Sequence, residues 1–240
     1  MRGVGLIWLA AAAMALLFLT LHLRGNLGFA MQLRLTQLAA IIQVATAVAV
    51  STVIFQTITG NRILSPSIMG LDALYLFCQT ALVFALGGVG FAALPPGLKF
   101  AGEVTALMAL SLLLFLPMLR RRSEMMLMIL TGVVLGLLFR SLTSLMARLI
   151  DPNEFAVVQG ASFASFSAID GRLLLLTFPV VVTGCAIAWR QRHLLDVLAL
   201  GRDAAIGLGV DWQRAVTGFL LLVAALTACA TALVGPLAFL

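Results

Sequence analysis

Long apolar runs separated by short polar breaks set the pattern of this chain. Each run is close to the roughly 20 mostly apolar residues that a helix needs to cross a bilayer. The breaks between them hold Gly, Pro and Asn, which favour turns. The pattern predicts an all-α, polytopic membrane helix bundle, a single domain over residues 1–240 with seven spans: Val4–Leu21, Leu38–Ile58, Leu71–Gly90, Ala101–Leu119, Met125–Leu145, Leu173–Trp189 and Ala215–Val234.

The distribution of Arg residues predicts the orientation of these spans. With the N-terminus in the cytoplasm, most of the Arg residues in connectors fall on the inner side, including the run Arg120-Arg121-Arg122. Inner connectors are enriched in Lys and Arg, so this is the favoured topology. The first span is interpreted as retained, because Leu21-His22-Leu23-Arg24 offers no small-residue cleavage site.

Small residues four positions apart predict close helix packing within the bundle. Gly132 and Gly136 form such a pair in the fifth span, and Ala45 and Ala49 form one in the second. The seventh span carries a stripe of three alanines, Ala224, Ala228 and Ala232. Small side chains let helix backbones approach in lipid, where apolar burial alone does not drive association.

Composition agrees with this picture and excludes several classes of function. Hydrophobic residues make up 62% of the chain and charged residues 10%, against roughly 45–50% and 25% in soluble domains. The net charge of +6 is dispersed over short connectors, whereas nucleic-acid binding needs cations gathered on one face. The three cysteines stand alone in apolar runs, which indicates neither a disulfide framework nor a metal site.

The inner connector Arg190–Arg214 is unusual because it mixes charged and apolar residues. Three glycines punctuate it, and Asp203-Ala204-Ala205-Ile206 resembles the start of a short helix. A solvated connector needs no apolar side chains, so the mixture predicts short amphipathic helices lying against a surface. That surface is either a partner protein or lipid headgroups.

Two further connectors carry candidate functional residues. The break from Asn61 to Gly70 contains Pro66 and follows Gln56 by a helical turn, which predicts an ordered, partly buried turn at membrane depth. The outer connector Arg148–Arg172 mixes acids, serines and aromatics. It is read either as the wall of a vestibule or as a solvated loop with interfacial aromatic anchors.

These motifs together resemble the permease subunits of bacterial iron-siderophore and cobalamin ABC importers. In that family the second span ends in Gln and a motif of the type N-P-L-A-x-P-x-x-L-G follows; here Gln56 precedes Asn61, Leu64, Pro66, Met69 and Gly70. Arg62 replaces the first Pro, as in the branch that imports ferric siderophores through paired, non-identical permeases. The coupling motif L-G-x-x-x-A-x-x-L-G-V is matched by Leu200, Gly201, Ala205, Leu208, Gly209 and Val210. Asp151–Phe155 and Phe163–Phe166 also resemble the siderophore branch.

The resemblance implies a transport subunit of the bacterial cytoplasmic (inner) membrane that is not an enzyme. The segment 190–214 would couple to separate ATPase subunits, which would use the ATP; no cofactor or metal is expected on this chain. The other implied partners are a second, non-identical permease, a periplasmic or lipid-anchored siderophore-binding protein and the bilayer. The cargo would be a ferric siderophore, with the catecholate type favoured and haem or cobalamin as alternatives. The implied translocation path holds Gln56, Asn61, Pro66, Gly70, Arg140, Phe163 and Phe166, and the implied docking residues for the binding protein are Arg34 and Glu154.

The chain departs from the family pattern in two places. Before the second span the family carries R-x-P-R, but here only Arg34 matches, since Thr36 and Gln37 replace the last two residues. The final stretch Gly235–Leu240 resembles the opening of a longer family motif, and about ten spans would be expected where seven fit. The sequence is therefore expected to be truncated relative to the family.

Other functions fit the residues less well. An ion-coupled secondary transporter favours carboxylates near the bilayer midplane, whereas the acids here are predicted at or near the ends of spans. An intramembrane enzyme would need a motif such as H-E-x-x-H or G-x-S-x-G, and the sequence contains neither. Arg140 within a span is expected either to contact an anionic siderophore or to snorkel or pair with another helix. Asp72 is expected to cap the third span or to pair with Arg62.

Overall fold

A computed structural model provides the fold. It describes residues 2–21, 27–120, 125–161, 164–167 and 169–236. In these residues the chain forms ten α-helices, one short 3-10 turn at Pro66–Met69 and no strand. The helices are α1 Arg2–Thr20, α2 Leu27–Thr59, α3 Leu71–Ala93, α4 Pro96–Arg120, α5 Met125–Leu149, α6 Pro152–Ala161, α7 Gly171–Arg190, α8 Arg192–Leu198, α9 Arg202–Gly207 and α10 Trp212–Val234.

The seven predicted spans correspond in order to α1, α2, α3, α4, α5, α7 and α10, so the all-α membrane bundle is confirmed. Within the described residues, five of these helices are long and apolar enough to cross a membrane: α2, α3, the part of α5 from Leu130, α7 and α10. The apolar part of α1, Gly5–Thr20, is shorter. α4 carries Lys99 and Glu103 in its first two turns.

The centre of the bundle is α10, which packs against α2, α4 and α7. Its alanine stripe is where the sequence predicts it: Ala224 and Ala228 are buried. At Gly184 of α7 an added Cβ would lie 2.9 Å from the Cδ2 of Leu226, so these two helices are in close contact. The small residue Gly184 thus lets α7 approach α10 closely.

The packing predicted for Ala45 and Ala49 is wrong within this chain. Both alanines are exposed, because α2 turns a neighbouring face inward, with Ala40, Val44 and Ala47 buried. The same inward face holds Gln43, whose Nε2 donates to Thr177 Oγ1 of α7 at 2.6 Å. A buried amide needs such a partner, so the polar pair fixes the register of α2 on α7.

A second contact region joins α3 to α4 and α5. Gln79 of α3 and Glu103 of α4 are both buried, and Gln79 Nε2 donates to Glu103 Oε1 at 2.5 Å. Near its outer end α3 is interrupted at Gly87, whose φ of 71° lies in the left-handed region that favours glycine. Glu154 of α6 lies over this interruption.

Candidate functional site

The break between α2 and α3 is ordered by the residues that the sequence singles out. Gln56 Nε2 donates to the Arg62 carbonyl at 2.7 Å, and the Asn61 Oδ1 accepts from the Ile63 amide at 3.0 Å. Pro66, which is buried, opens the 3-10 turn. The predicted ordered, partly buried turn is confirmed. The described contacts of Gln56 and Asn61 determine the shape of the turn, and their place on a translocation path stays a prediction.

Gly70 brings this turn into direct backbone contact with α5. Its φ is 79°, and an added Cβ would lie 2.7 Å from the Gly136 Cα and 3.0 Å from the Gly132 carbonyl oxygen. The two glycines of α5 therefore pack against the turn that precedes α3, and not against a second helix with its own pair of small residues. This contact places the start of α3 level with the middle of α5.

As a result, Arg140 of α5 and Asp72 of α3 line the same cavity. This cavity has a volume of about 270 Å³, and Thr143 and Ser144 supply hydroxyl groups to its wall. Asp72 is only 3% exposed, so a carboxylate lies inside the bundle. The sequence placed it at the end of a span, where capping or pairing with Arg62 was expected. Its position facing the α5 cavity was missed because it depends on the Gly70–Gly136 contact.

A second cavity runs along the exposed side of α5. Its volume is about 430 Å³, and Arg140, Ser141, Ser144 and Arg148 provide its polar lining. Arg140 thus borders both cavities. Both sequence readings of Arg140, contact with an anionic siderophore and snorkelling or pairing with another helix, stay predictions.

The outer connector contains α6 and then returns to the bundle. The Ser165 amide donates to the Val234 carbonyl at the end of α10 at 2.8 Å. Phe166 is half-buried and packs on the cluster formed by α2, α7 and α10. The end of this connector is thus anchored to the bundle. Phe163 lies outside the described residues.

The two residues expected to dock a binding protein have structural contacts of their own. The Arg34 guanidinium donates to the Phe18 carbonyl at 2.7 Å and to the Leu21 carbonyl, at the end of α1. Cations at a helix C-terminus satisfy carbonyls that lack helical partners. The Glu154 side chain lies against Gly87, where an added Cβ would be 3.1 Å from its Oε1. Docking through either residue stays a prediction.

The inner connector folds as two short helices, as the sequence predicts. α8 and α9 are attached to the inner ends of α2 and α10. Leu198 is buried in the same apolar cluster as Val216 and Phe219 of α10, with Val197 and Val210 packed around it. The Val210 amide donates to the Ala205 carbonyl at 3.0 Å and closes the segment. The connector is therefore a structured extension of the bundle.

Within this segment the six motif residues divide into an inner and an outer set. Ala205 is 0% exposed and packs in the apolar cluster, so it supports the segment from the inside, and its part in ATPase coupling stays a prediction. Gly201 and Gly209 have φ of 93° and 84°, and no atom lies near the position of an added Cβ. Glycine is therefore required at these two positions because of the backbone conformation, and not because a side chain would fail to fit. Leu200 and Leu208 remain exposed, as does Ile206, which the motif does not include.

A protein-family model described as the FecCD transport family matches residues 4–240. The petrobactin import system permease protein YclO of Bacillus subtilis is 42% identical over 217 residues, which are 90% of this chain and 69% of that protein. The corresponding permease FatC of Bacillus anthracis is 33% identical over 207 residues, 86% of this chain and 58% of that protein. A solved metal-chelate type ABC transporter in an inward-facing conformation shares the fold, with a TM-score of 0.79 at 23% identity over 93% of this chain and 72% of that one.

Proposed function

This chain belongs to the FecCD transport family, and from that membership we propose that it is the membrane-spanning permease subunit of an ATP-driven importer for ferric siderophores. The chain is a multi-pass protein of the bacterial cytoplasmic membrane. The identity of 42% to a petrobactin permease supports an iron-chelate cargo, and among siderophores the catecholate type is favoured. Vitamin B12 and hemin permeases are more distant, at 26% and 23% identity.

The observation that carries the coupling role is the outer surface of the segment 190–214. Leu208 is 63% exposed and Ile206 is 49% exposed, although both belong to a segment whose inner side is well packed. Short helices with an apolar outer edge and charged neighbours, here Arg202 and Asp203, suit a groove on another protein. We assign this edge to an ATPase subunit, which binds and hydrolyses ATP.

Movement of that ATPase would be transmitted through packing that the structure describes. Leu198 and Ala205 lie in one cluster with buried residues of α2 and α10. A packed cluster moves as a unit, so a displacement of α8 and α9 carries the inner ends of these two helices with it. The remaining partners are a second, non-identical permease along the path and a siderophore-binding protein on the outer side. Residues 1–240 act as one permease domain in this scheme.

Uptake of radiolabelled ferric petrobactin tests the proposed cargo. The chain is expressed with its ATPase, partner permease and binding protein in cells that lack their own petrobactin permease. ATP-dependent uptake that exceeds uptake of ferric hydroxamate and cobalamin is expected. Uptake of cobalamin or haem in preference to any ferric siderophore would contradict the assignment.

The double substitution Ile206→Asp and Leu208→Asp tests the coupling role. Both side chains point out of the segment, so folding is expected to be retained while co-purification with the ATPase and uptake are lost. Ile63→Asp is the matched control, since Ile63 is an exposed isoleucine in the inner connector between α2 and α3. Retention of the complex in the double variant, or its loss in the control as well, would show that this edge is not the specific docking surface.

A further inference from the structure

α5 presents a polar face at membrane depth. Arg140, Ser141, Ser144 and Arg148 are all exposed and line one open cavity. Residues 140, 144 and 148 are spaced four apart, so they lie on one side of the helix on successive turns. Arg140 precedes the end of α5 at Leu149 by nine residues. That separation is about 14 Å along the axis, more than two turns inside the helix.

This face is unsuited to contact with lipid. Two guanidinium groups and two hydroxyl groups on one side of a spanning helix need water or protein opposite them. Arg148 lies in the last turn and can extend towards the headgroups, but Arg140 is more than two turns deeper. The cavity of about 430 Å³ in front of these residues is therefore interpreted as a water-filled part of the path.

The charge of this lining is positive. Among the described residues that line the two α5 cavities, Arg140 and Arg148 are basic and Asp72 is the acidic one. Asp72 is buried behind Arg140, whereas both arginines are exposed. A solute in the open cavity thus meets the arginines first, and the carboxylate offsets part of their attraction.

We propose that this face of α5 is an anion-attracting lining that favours ferric chelates of net negative charge, with Arg140 as the residue that determines this preference. The proposal rests on the transport function above. Guanidinium groups match carboxylate oxygens with two parallel hydrogen bonds, and the serine hydroxyls offer weaker contacts. The partial offset by Asp72 keeps the binding weak enough for the cargo to leave.

Thiol modification tests the sign of the charge on this lining and does not require transport. In the assembled importer, with Cys78, Cys185 and Cys229 replaced by alanine, Ser144→Cys is treated with an anionic and with a cationic methanethiosulfonate reagent. The anionic reagent is expected to react at least about tenfold faster, because nearby charge changes its local concentration. Ser167→Cys, which is exposed in the outer connector, serves as the control site and should show a smaller preference.

When Arg140→Gln is combined with Ser144→Cys, most of the preference for the anionic reagent should be lost. Arg140→Lys in the same combination should retain that preference. Ferric citrate, used as an anionic chelate probe, should slow the reaction of the anionic reagent only while Arg140 is present. Failure of both reagents to react, a preference for the cationic reagent, or an unchanged preference in Arg140→Gln would overturn the proposal. Uptake by the unsubstituted importer is measured in parallel, so a failure of the transport function is recognised separately.

Discussion

Replacing Gly70 with alanine probes the contact that sets the depth of α3 against α5. The new Cβ would lie 2.7 Å from the Gly136 Cα and 2.9 Å from its amide nitrogen. Both are backbone atoms of a packed helix, so they cannot rotate away as the end of a side chain could. The alanine would also have to adopt a φ of 79°.

The expected loss of stability has two parts. Forcing alanine into the left-handed region costs about 1–2 kcal/mol. Overpacking against a backbone costs about 1–3 kcal/mol more. Gly70→Ala should therefore lower the free energy of unfolding by roughly 2–5 kcal/mol, a large fraction of the stability of a typical protein.

Three other glycines separate these two parts. Gly60→Ala meets a φ of 62° in open space and should show the conformational cost alone. Gly136→Ala has no positive φ but places its Cβ 3.1 Å from the Gly70 Cα, so it should show the steric cost, reduced by the helix propensity of alanine. Gly102→Ala is helical and open, and should be neutral or slightly stabilising.

Graded denaturant unfolding of the purified protein in detergent, followed by tryptophan fluorescence, measures these differences. The expected order of destabilisation places Gly70→Ala first, then Gly60→Ala and Gly136→Ala, and Gly102→Ala last. Equal losses for Gly70→Ala and Gly60→Ala would show that the backbone contact with α5 contributes nothing, and would refute the reasoning.

Two further changes test buried polar contacts in the same unfolding assay. Gln43→Leu removes the hydrogen bond to Thr177, whose hydroxyl keeps its own hydrogen bond to the Leu173 carbonyl. The free energy of unfolding should therefore fall by about 0.5–1.5 kcal/mol. A fall of more than about 3 kcal/mol would contradict this account. Glu103→Leu leaves the buried Gln79 amide without its carboxylate acceptor, so it should cost about 1–3 kcal/mol. Glu103→Gln supplies a carbonyl oxygen instead and should cost less, and equal costs for the two variants would show that the hydrogen bond is not the reason.

The order and approximate bounds of the long helices could be predicted because an apolar run of about 20 residues is typical of a membrane-spanning helix. The start of α2 could not: it begins at Leu27, whereas the apolar run begins at Leu38. Arg34 and Gln37 make the stretch between look like a connector. They are compatible with a helix here because the Arg34 guanidinium binds carbonyls of α1 and Gln37 Nε2 donates to the Ser167 carbonyl at 3.4 Å.

Two further local features have signals in the sequence. α6 begins with Pro152 and carries Glu154 in its first turn, which are typical of a helix N-terminus. The pair Gly87-Gly88 marks the interruption of α3.

The candidate site was predicted as a set of positions, but the contacts between them depend on tertiary packing. Gly136 is predicted to lie at a close helix contact and Gly70 to end an ordered turn, yet the sequence does not indicate that they meet each other. Ala205 belongs to a motif, but only the fold shows that its side chain points inward while Ile206 and Leu208 point outward. Which member of a motif contacts a partner is decided by burial, and burial is not encoded in spacing alone.

Crosslinking from the outer edge of α9 tests the central claim, that the segment 190–214 is held by an ATPase subunit. In the assembled importer lacking its native cysteines, Leu208→Cys should crosslink to the ATPase. The buried Ala205→Cys should not. Reaction of Leu208→Cys at the same rate with and without the ATPase, or labelling by an impermeant thiol reagent applied from outside the cell, would contradict the account.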